Sequence, residues 1–469
     1  MKKKIVLIFT VIALIAVLAT CLIACNKGYK WHSVGGGDAT APVKSNGGYI
    51  VKQGDYLYFI NGYVGSSADN TFGVPVKQSI VRVEIKNGVP DNDTAVVVAP
   101  KSVYNSATSG GIAIYGEWIY YVTNNYDKDK NGTASSTNSD FMRTKIDGSA
   151  TQLIATISSR SAQYFFTETR VWYYLSNTLY FVDFKGMSNK GDITNGKGAY
   201  KGQLDATVSS VVWDYEVNKI FYTRSAKENN TSMTYNELCS INLDGSDDKV
   251  LATVDTYLAE GEAAKDNPQK VFTFSLLDVA HEQDGSATIY YTKSYKSEST
   301  QNAGRFMNKV ADNFVVANEK HLTTNSVTTM YPLGYAEGAL AYDSQSVYCW
   351  YNGENSEDPL QVTDSTRTIW FAFDGYAYYT STSNVNTLYK ISYRNPENAS
   401  IVFEEGMKTD WLPLDGVEDG DFALSAFFAT DDNNYLHYVN YLTMEDEESK
   451  SIMLGIYLDS EKPEEKEEE

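Results

Sequence analysis

The chain is poor in cysteine, histidine, proline and positive charge. Its 469 residues include four Cys, four His and ten Pro. Cys21 and Cys25 fall in the apolar start, so only Cys239 and Cys349 remain beyond it. Those two lie in different, non-adjacent repeats. That separation argues against a disulfide and fits two small buried hydrophobes. His32, His281, His321 and His437 are scattered without ligand spacing, which argues against a zinc site. There is no Gly-x-Ser-x-Gly elbow, phosphate loop or dinucleotide fingerprint. Lys and Arg number 39 against 60 Asp and Glu, a net charge of −21, which becomes −24 if Lys2, Lys3 and Lys4 leave with a leader. Such a surface repels phosphate backbones, so nucleic acid is not expected as a partner. Helical periodicity is nearly absent after Cys25.

Aromatic residues are abundant: 13% of the chain, with 36 Tyr. They recur in short runs. Gly116 to Ile157 holds Trp118-Ile119-Tyr120-Tyr121-Val122, a polar loop, an alternating run from Phe141 to Ile146, an Asp147-Gly148 turn and a third run from Gln152. Lys219 to Val254 repeats the same plan with Asp244-Gly245. Short apolar runs separated by turn residues read as an antiparallel meander. Eight aromatic second strands can be found, centred on Tyr58, Tyr120, Tyr173, Phe221, Tyr290, Leu340, Tyr378 and Tyr438. Each follows a candidate inner strand, from Gly48-Tyr49-Ile50-Val51 to Ala423-Leu424-Ser425-Ala426. The repeat spacing of about 36 to 70 residues suits four-stranded blades with loop insertions.

A single four-stranded sheet has two apolar faces, and water can be kept from both only by stacking sheets. A closed ring leaves no end face uncovered. The expected fold is therefore all-β: one β-propeller of four-stranded antiparallel blades over residues 45–458, with eight blades favoured over seven. The eighth repeat offers strands from Tyr435 to Tyr441 and Ser451 to Leu458 but lacks an outer strand. Tyr29 to Val34, ahead of a Gly35-Gly36-Gly37 joint, is the candidate to complete it, a flexible tether being the alternative. Residues 25–44 thus form a tether and closing strand, and residues 459–469 an acidic, solvated tail.

Residues 1–24 read as an export signal, with three Lys followed by an apolar run from Ile5 to Ala24. The end of that run, Leu22-Ile23-Ala24-Cys25, resembles the bacterial lipobox. The resemblance implies cleavage before Cys25, lipidation of its sulfur, and an extracytoplasmic protein held to the cell membrane. The general character of the chain makes a Gram-positive surface the expected setting. An uncleaved membrane-spanning anchor is the alternative, since about 20 apolar residues span a bilayer.

At Ile119-Tyr120-Tyr121…Ile146-Asp147-Gly148-Ser149 and Ile220-Phe221-Tyr222-Thr223…Leu243-Asp244-Gly245-Ser246, the chain resembles the YWTD-type β-propeller of low-density lipoprotein receptors. It is similar above all to the bacterial exported domains of unknown function that share this repeat. The likeness is good in repeats two and four and weaker elsewhere, with Thr223, Thr292 and Thr380 keeping part of the Thr-Asp. It implies a propeller used for binding and carries no catalytic residue across.

One loop carries candidate chemistry. Asp127-Lys128-Asp129-Lys130-Asn131-Gly132-Thr133 places oxygens at alternate positions before a glycine, as the start of a calcium loop does. Asp127, Asp129, Asn131 and the Thr133 carbonyl would be the ligands, although the twelfth position is Asn138, not Glu. A solvated hairpin loop is the alternative, and no other cofactor is indicated. The expected function is a membrane-tethered module that binds or scaffolds a protein or glycan at the axial face. The alternative is a cell-envelope glycan hydrolase with acidic residues in the central funnel.

Overall fold

The computed structural model describes residues 33–48, 50–60, 79–87, 89–99, 103, 111–123, 137–190, 196–226, 235–295, 303–324, 329–343, 346–350, 359–364, 366–373, 375–384, 387–403, 422–430, 435–442 and 451–457. Within them the chain is an all-β propeller of antiparallel meander sheets. One five-stranded and six four-stranded sheets make seven blades, followed by a three-stranded sheet at the C-terminal end. The expectation of eight four-stranded blades is corrected to seven. Among the described residues the eighth repeat forms three strands, Phe422–Thr430, Tyr435–Leu442 and Ser451–Tyr457.

Inner strands of the seven blades are Ile50–Gln53, Ala113–Tyr115, Gln163–Phe166, Val208–Trp213, Phe272–His281, Thr329–Gly334 and Thr366–Phe373. Each pairs with an aromatic second strand at the expected place. In blade three, Phe165 lies opposite Trp172 and Tyr164 opposite Tyr173. Trp118–Thr123 is buried at all six positions, Trp-Ile-Tyr-Tyr-Val-Thr. Aromatic and β-branched residues fit a pleated surface, and a middle strand covered on both faces has no solvent side for polar alternation.

The core is divided among the contacts between consecutive blades. Tyr120, Phe141, Tyr164, Phe166 and Phe184 join blades two and three, and Phe221, Leu238, Phe274 and Tyr291 join blades four and five. Ring pairs such as Phe141 on Phe166, with centroids 5.9 Å apart and edge to face, are typical of these seams. Each ring fully withdrawn from water stabilises the stack by about 1.5–3 kcal/mol. Blade one has a second apolar face of Ile50, Leu57, Phe59, Val81 and Val83, all buried, turned away from blade two. The three-stranded sheet runs beside that side of the ring, Ser451–Tyr457 next to Val89–Ala99, and beside blade seven through Phe422–Thr430 next to Thr366–Phe373.

The two Asp-Gly turns that mark the repeat are built alike. Gly148 has φ 73° and Gly245 φ 87°, a left-handed conformation that glycine adopts without penalty. The amides of Ser149 and Ser246 each donate to the preceding Asp side chain at 2.9 Å. Cys239 and Cys349 are buried thiols on blades four and six, not a disulfide.

Candidate functional site

All inner strands run in one direction, so the turns that follow them converge on one face of the ring, here the upper face. The axis beneath it is filled on one side. Val43–Lys44 pairs with Lys52 and Gln53, and the chain continues down the axis between blades one and two. There Asn46 exchanges both its side-chain hydrogen bonds with the backbone of Ile114, and Gly48 bridges to Ile112. Tyr215 arrives from blade four and packs on Phe165 with centroids 4.4 Å apart. It also accepts a hydrogen bond from the Phe166 amide. A side chain at Gly47 would strike the Tyr215 ring. This hairpin and ring cluster occupy the axial space of blades one to three.

Exposed inner-strand residues lie on blades four and five instead: Ser209, Ser275, Leu277 and His281. His281 ends the blade-five inner strand, and Asp214 follows the blade-four inner strand. The His281 Nδ1 lies 3.3 Å from the Asp214 carboxylate. That hydrogen bond raises the His281 pKa, with the charges of Glu216 and Glu282 adding to it and partial burial opposing. Beside the pair, burial pushes the Asp278 carboxyl up to about 6; the Asp214 charge adds to the rise, and the Val279 amide, donating at 2.8 Å, works against it. Asp278 stands at a bulge where the inner strand slips one residue against its partner, between Leu276 and Asp278. Such bulges re-aim side chains. Tyr290, paired with Asp278, donates to the Gly338 carbonyl at 2.7 Å and accepts from the Gly334 amide at 2.9 Å, fixing the upper turn of blade six against blade five.

This arrangement offers a hydrogen-bonding histidine, two carboxyls in unlike surroundings, and an exposed leucine. It can bind polar or sugar-like groups and can hold or release a proton near pH 6. A second concavity of about 380 Å³ lies between the outer strand of blade six and blade seven, lined by Gln361, Asp364, Tyr379, Ile391 and Glu397 among others. Among the described residues no group of three or more His, Cys, Asp or Glu is placed to hold a metal ion.

The site residues expected from the sequence are not among the described ones. Cys25 and the loop of Asp127, Asp129, Asn131 and Thr133 lie outside the described residues, as do the leader and the acidic tail. The segment Tyr29 to Val34 is described only at Ser33 and Val34, and these lie on blades one and two. The Val34 amide donates to the Asp147 carbonyl at 2.8 Å. The three glycines that follow are held against blades one and two instead of forming a loose joint. All have positive φ, and a side chain at Gly36 or Gly37 would meet Arg82 or Ile146 within 3 Å. His281 and Asp214 escape sequence reading because 67 residues and a repeat boundary separate them. The one available signal was position: each stands at or just after the end of an inner strand.

No family model matches the chain, and no curated protein does. Solved structures align over much of the chain at low identity. A prolyl endopeptidase structure aligns with 86% of this chain at 10% identity and TM-score 0.41, and the chain spans 55% of its length. Sqt1 of Saccharomyces cerevisiae aligns over 86% of this chain and 93% of its own at 9% identity and TM-score 0.41. The polysaccharide lyase Uly1 aligns over 92% and 93% at 8% identity and TM-score 0.35.

Proposed function

We propose that this protein is an extracytoplasmic lipoprotein, anchored through Cys25, whose YWTD-like propeller binds a protein or glycan ligand on the upper axial face at blades four and five. The observation that carries the reading is the asymmetry of the axis. The side of blades one to three is filled by the chain's own hairpin and Tyr215. The side of blades four and five presents His281, Asp214, Ser275 and Leu277. Polar groups beside a modest apolar surface are what an oriented ligand requires. The test is capture from native envelope extracts, with a glycan array alongside, using the full chain and the double variant His281→Ala/Asp214→Asn. Capture by the wild type should fall at least tenfold in the variant. Equal capture by both would overturn the siting.

A second reading is favoured by Asp278. A carboxyl raised to about 6 beside a second carboxylate is the pairing that glycoside hydrolysis uses for its acid and its base or nucleophile. On this reading Asp278 protonates the leaving oxygen and Asp214 is the base or nucleophile. Release of reducing ends from envelope glycans by the wild type, lost in Asp278→Asn and peaking near pH 5–6, would support it. No release from any envelope glycan leaves binding as the function.

A further inference from the structure

We propose that the upper face is turned toward the cell's own bilayer, so that ligands reach His281 and Asp214 from the membrane side. The inference rests on the anchor at Cys25, and its warrant is the path by which the chain enters the ring.

The first described residues are fastened to the upper face at several points. Ser33 donates to the Asp147 side chain at 3.2 Å and the Val34 amide to the Asp147 carbonyl at 2.8 Å. Asp147 lies in the turn between the third and fourth strands of blade two. That turn is on the same side as the ends of the inner strands, because each successive strand of a meander reverses direction. Arg82, 5% exposed, donates one guanidinium nitrogen to the Gly35 carbonyl at 2.6 Å and to the Ile146 carbonyl at 3.2 Å. The Val34 side chain packs against the seam of blades one and two. The chain then crosses the upper turn of blade one, where the Gly54 amide donates to the Pro42 carbonyl at 3.2 Å, and descends the axis as Val43–Lys44. Before that descent, the described hydrogen bonds of residues 33–42 to blades one and two are at their upper ends.

Eight steps of chain separate Cys25 from Ser33. Fully extended they span at most about 29 Å. A blade strand of five or six residues is itself about 17–20 Å long. A tether rounding the rim would spend most of its reach on the height of the ring before any membrane was met. The short route places the upper face next to the lipid. The face is acidic there, with Asp147, Asp214, Glu216, Glu282 and Asp284 at its turns. Charge repulsion therefore holds it off anionic headgroups within the gap the tether allows.

The experiment uses the full lipidated chain in vesicles containing headgroup-quencher lipid. A fluorophore is placed at Gln283→Cys, an exposed upper-turn position, or at Ser294→Cys, exposed at the lower end of the adjoining strand. Lipid quenching of the Gln283 label should exceed that of the Ser294 label several-fold. Equal or reversed quenching in a chain that floats with the vesicles overturns the orientation alone. A chain that does not float sinks the anchor reading, and the orientation with it. Floating that persists in Cys25→Ala moves the anchor to the uncleaved leader, and the two labels then decide the orientation as before.

Discussion

Blade five carries two sets of charged groups that behave in opposite ways. On its outer half, Lys293 forms an ion pair with Glu319, with the two side chains only 6% and 11% exposed. The ammonium sits over Phe306 at 4.0 Å and Tyr257 at 4.5 Å from the ring centroids. Tyr257 and Tyr291 both donate to the other Glu319 oxygen. Every partner belongs to the chain itself, and the cluster ties the turns before the inner strand to the second strand and the third-to-fourth connection. At the upper end of the same blade, His281 is more than half exposed and meets Asp214 from the neighbouring blade. Asp278 nearby is held without a cation by burial. The enclosed set is saturated and holds the fold together. The open set has hydrogen-bonding capacity left over, and that is what a ligand needs.

The largest expected effect is on the enclosed set. Glu319→Ala leaves Lys293 and two tyrosine hydroxyls without their acceptor in a nearly dry site. Breaking a buried pair in this way costs about 3–5 kcal/mol, read as a fall in the urea midpoint. Lys293→Met combined with Glu319→Gln should recover more than half of that loss, since burial already works against the Lys293 charge. If Glu319→Ala unfolds at the wild-type midpoint, the cluster is not structural and the contrast fails.

Asp278 comes next, with the opposite sign. Its carboxyl rises from 3.8 to about 6 on folding. The folded chain holds the proton more tightly than the unfolded chain, so stability is lost as pH rises through that interval. At 1.36 kcal/mol per unit, the charged form costs about 1–3 kcal/mol at neutral pH. Asp278→Asn should therefore be more stable than wild type at pH 7 and close to it at pH 4. Equal destabilisation at both pH values would mean that the side chain is held for its hydrogen bonds and not kept neutral by burial.

The contrast also explains what the sequence made legible. Inner and second strands could be placed because sheets covered on both faces write themselves as unbroken aromatic runs. Gln163-Tyr164-Phe165-Phe166 and Ile220-Phe221-Tyr222 stand where they were expected. The Asp-Gly turns were legible because each is closed within four residues. Blade number was not. Completing a sheet depends on a fourth strand, which the eighth repeat does not show among the described residues, and a strand count follows pairing, which local sequence does not encode. The glycines at 35–37 read as a loose joint because composition registers their freedom but not Arg82, 47 residues on, which packs against them. Both charged clusters were invisible for a related reason. Lys293 and Glu319 are 26 residues apart and Asp214 and His281 are 67, and only the return of the chain in each blade brings them together.

The smallest energetic effect is expected where function is proposed. The His281–Asp214 pair is exposed enough that solvent screens it, and such pairs contribute about 0–1 kcal/mol. Its signature is in the titration instead. The Asp214 hydrogen bond raises the His281 pKa above its ordinary 6.5. Whatever the pair contributes is complete below pH 6.5 and disappears as pH rises through the raised value. An NMR titration should show the His281 imidazole titrating above 6.5 in the wild type and moving down in Asp214→Asn, while the urea midpoint stays within the equivalent of about 1 kcal/mol. Ligand capture should follow the same curve, strongest where the imidazole is charged and declining above its pKa. A histidine that titrates normally, or capture indifferent to pH across that range, would remove the reason for setting the open end of blade five apart from its closed one.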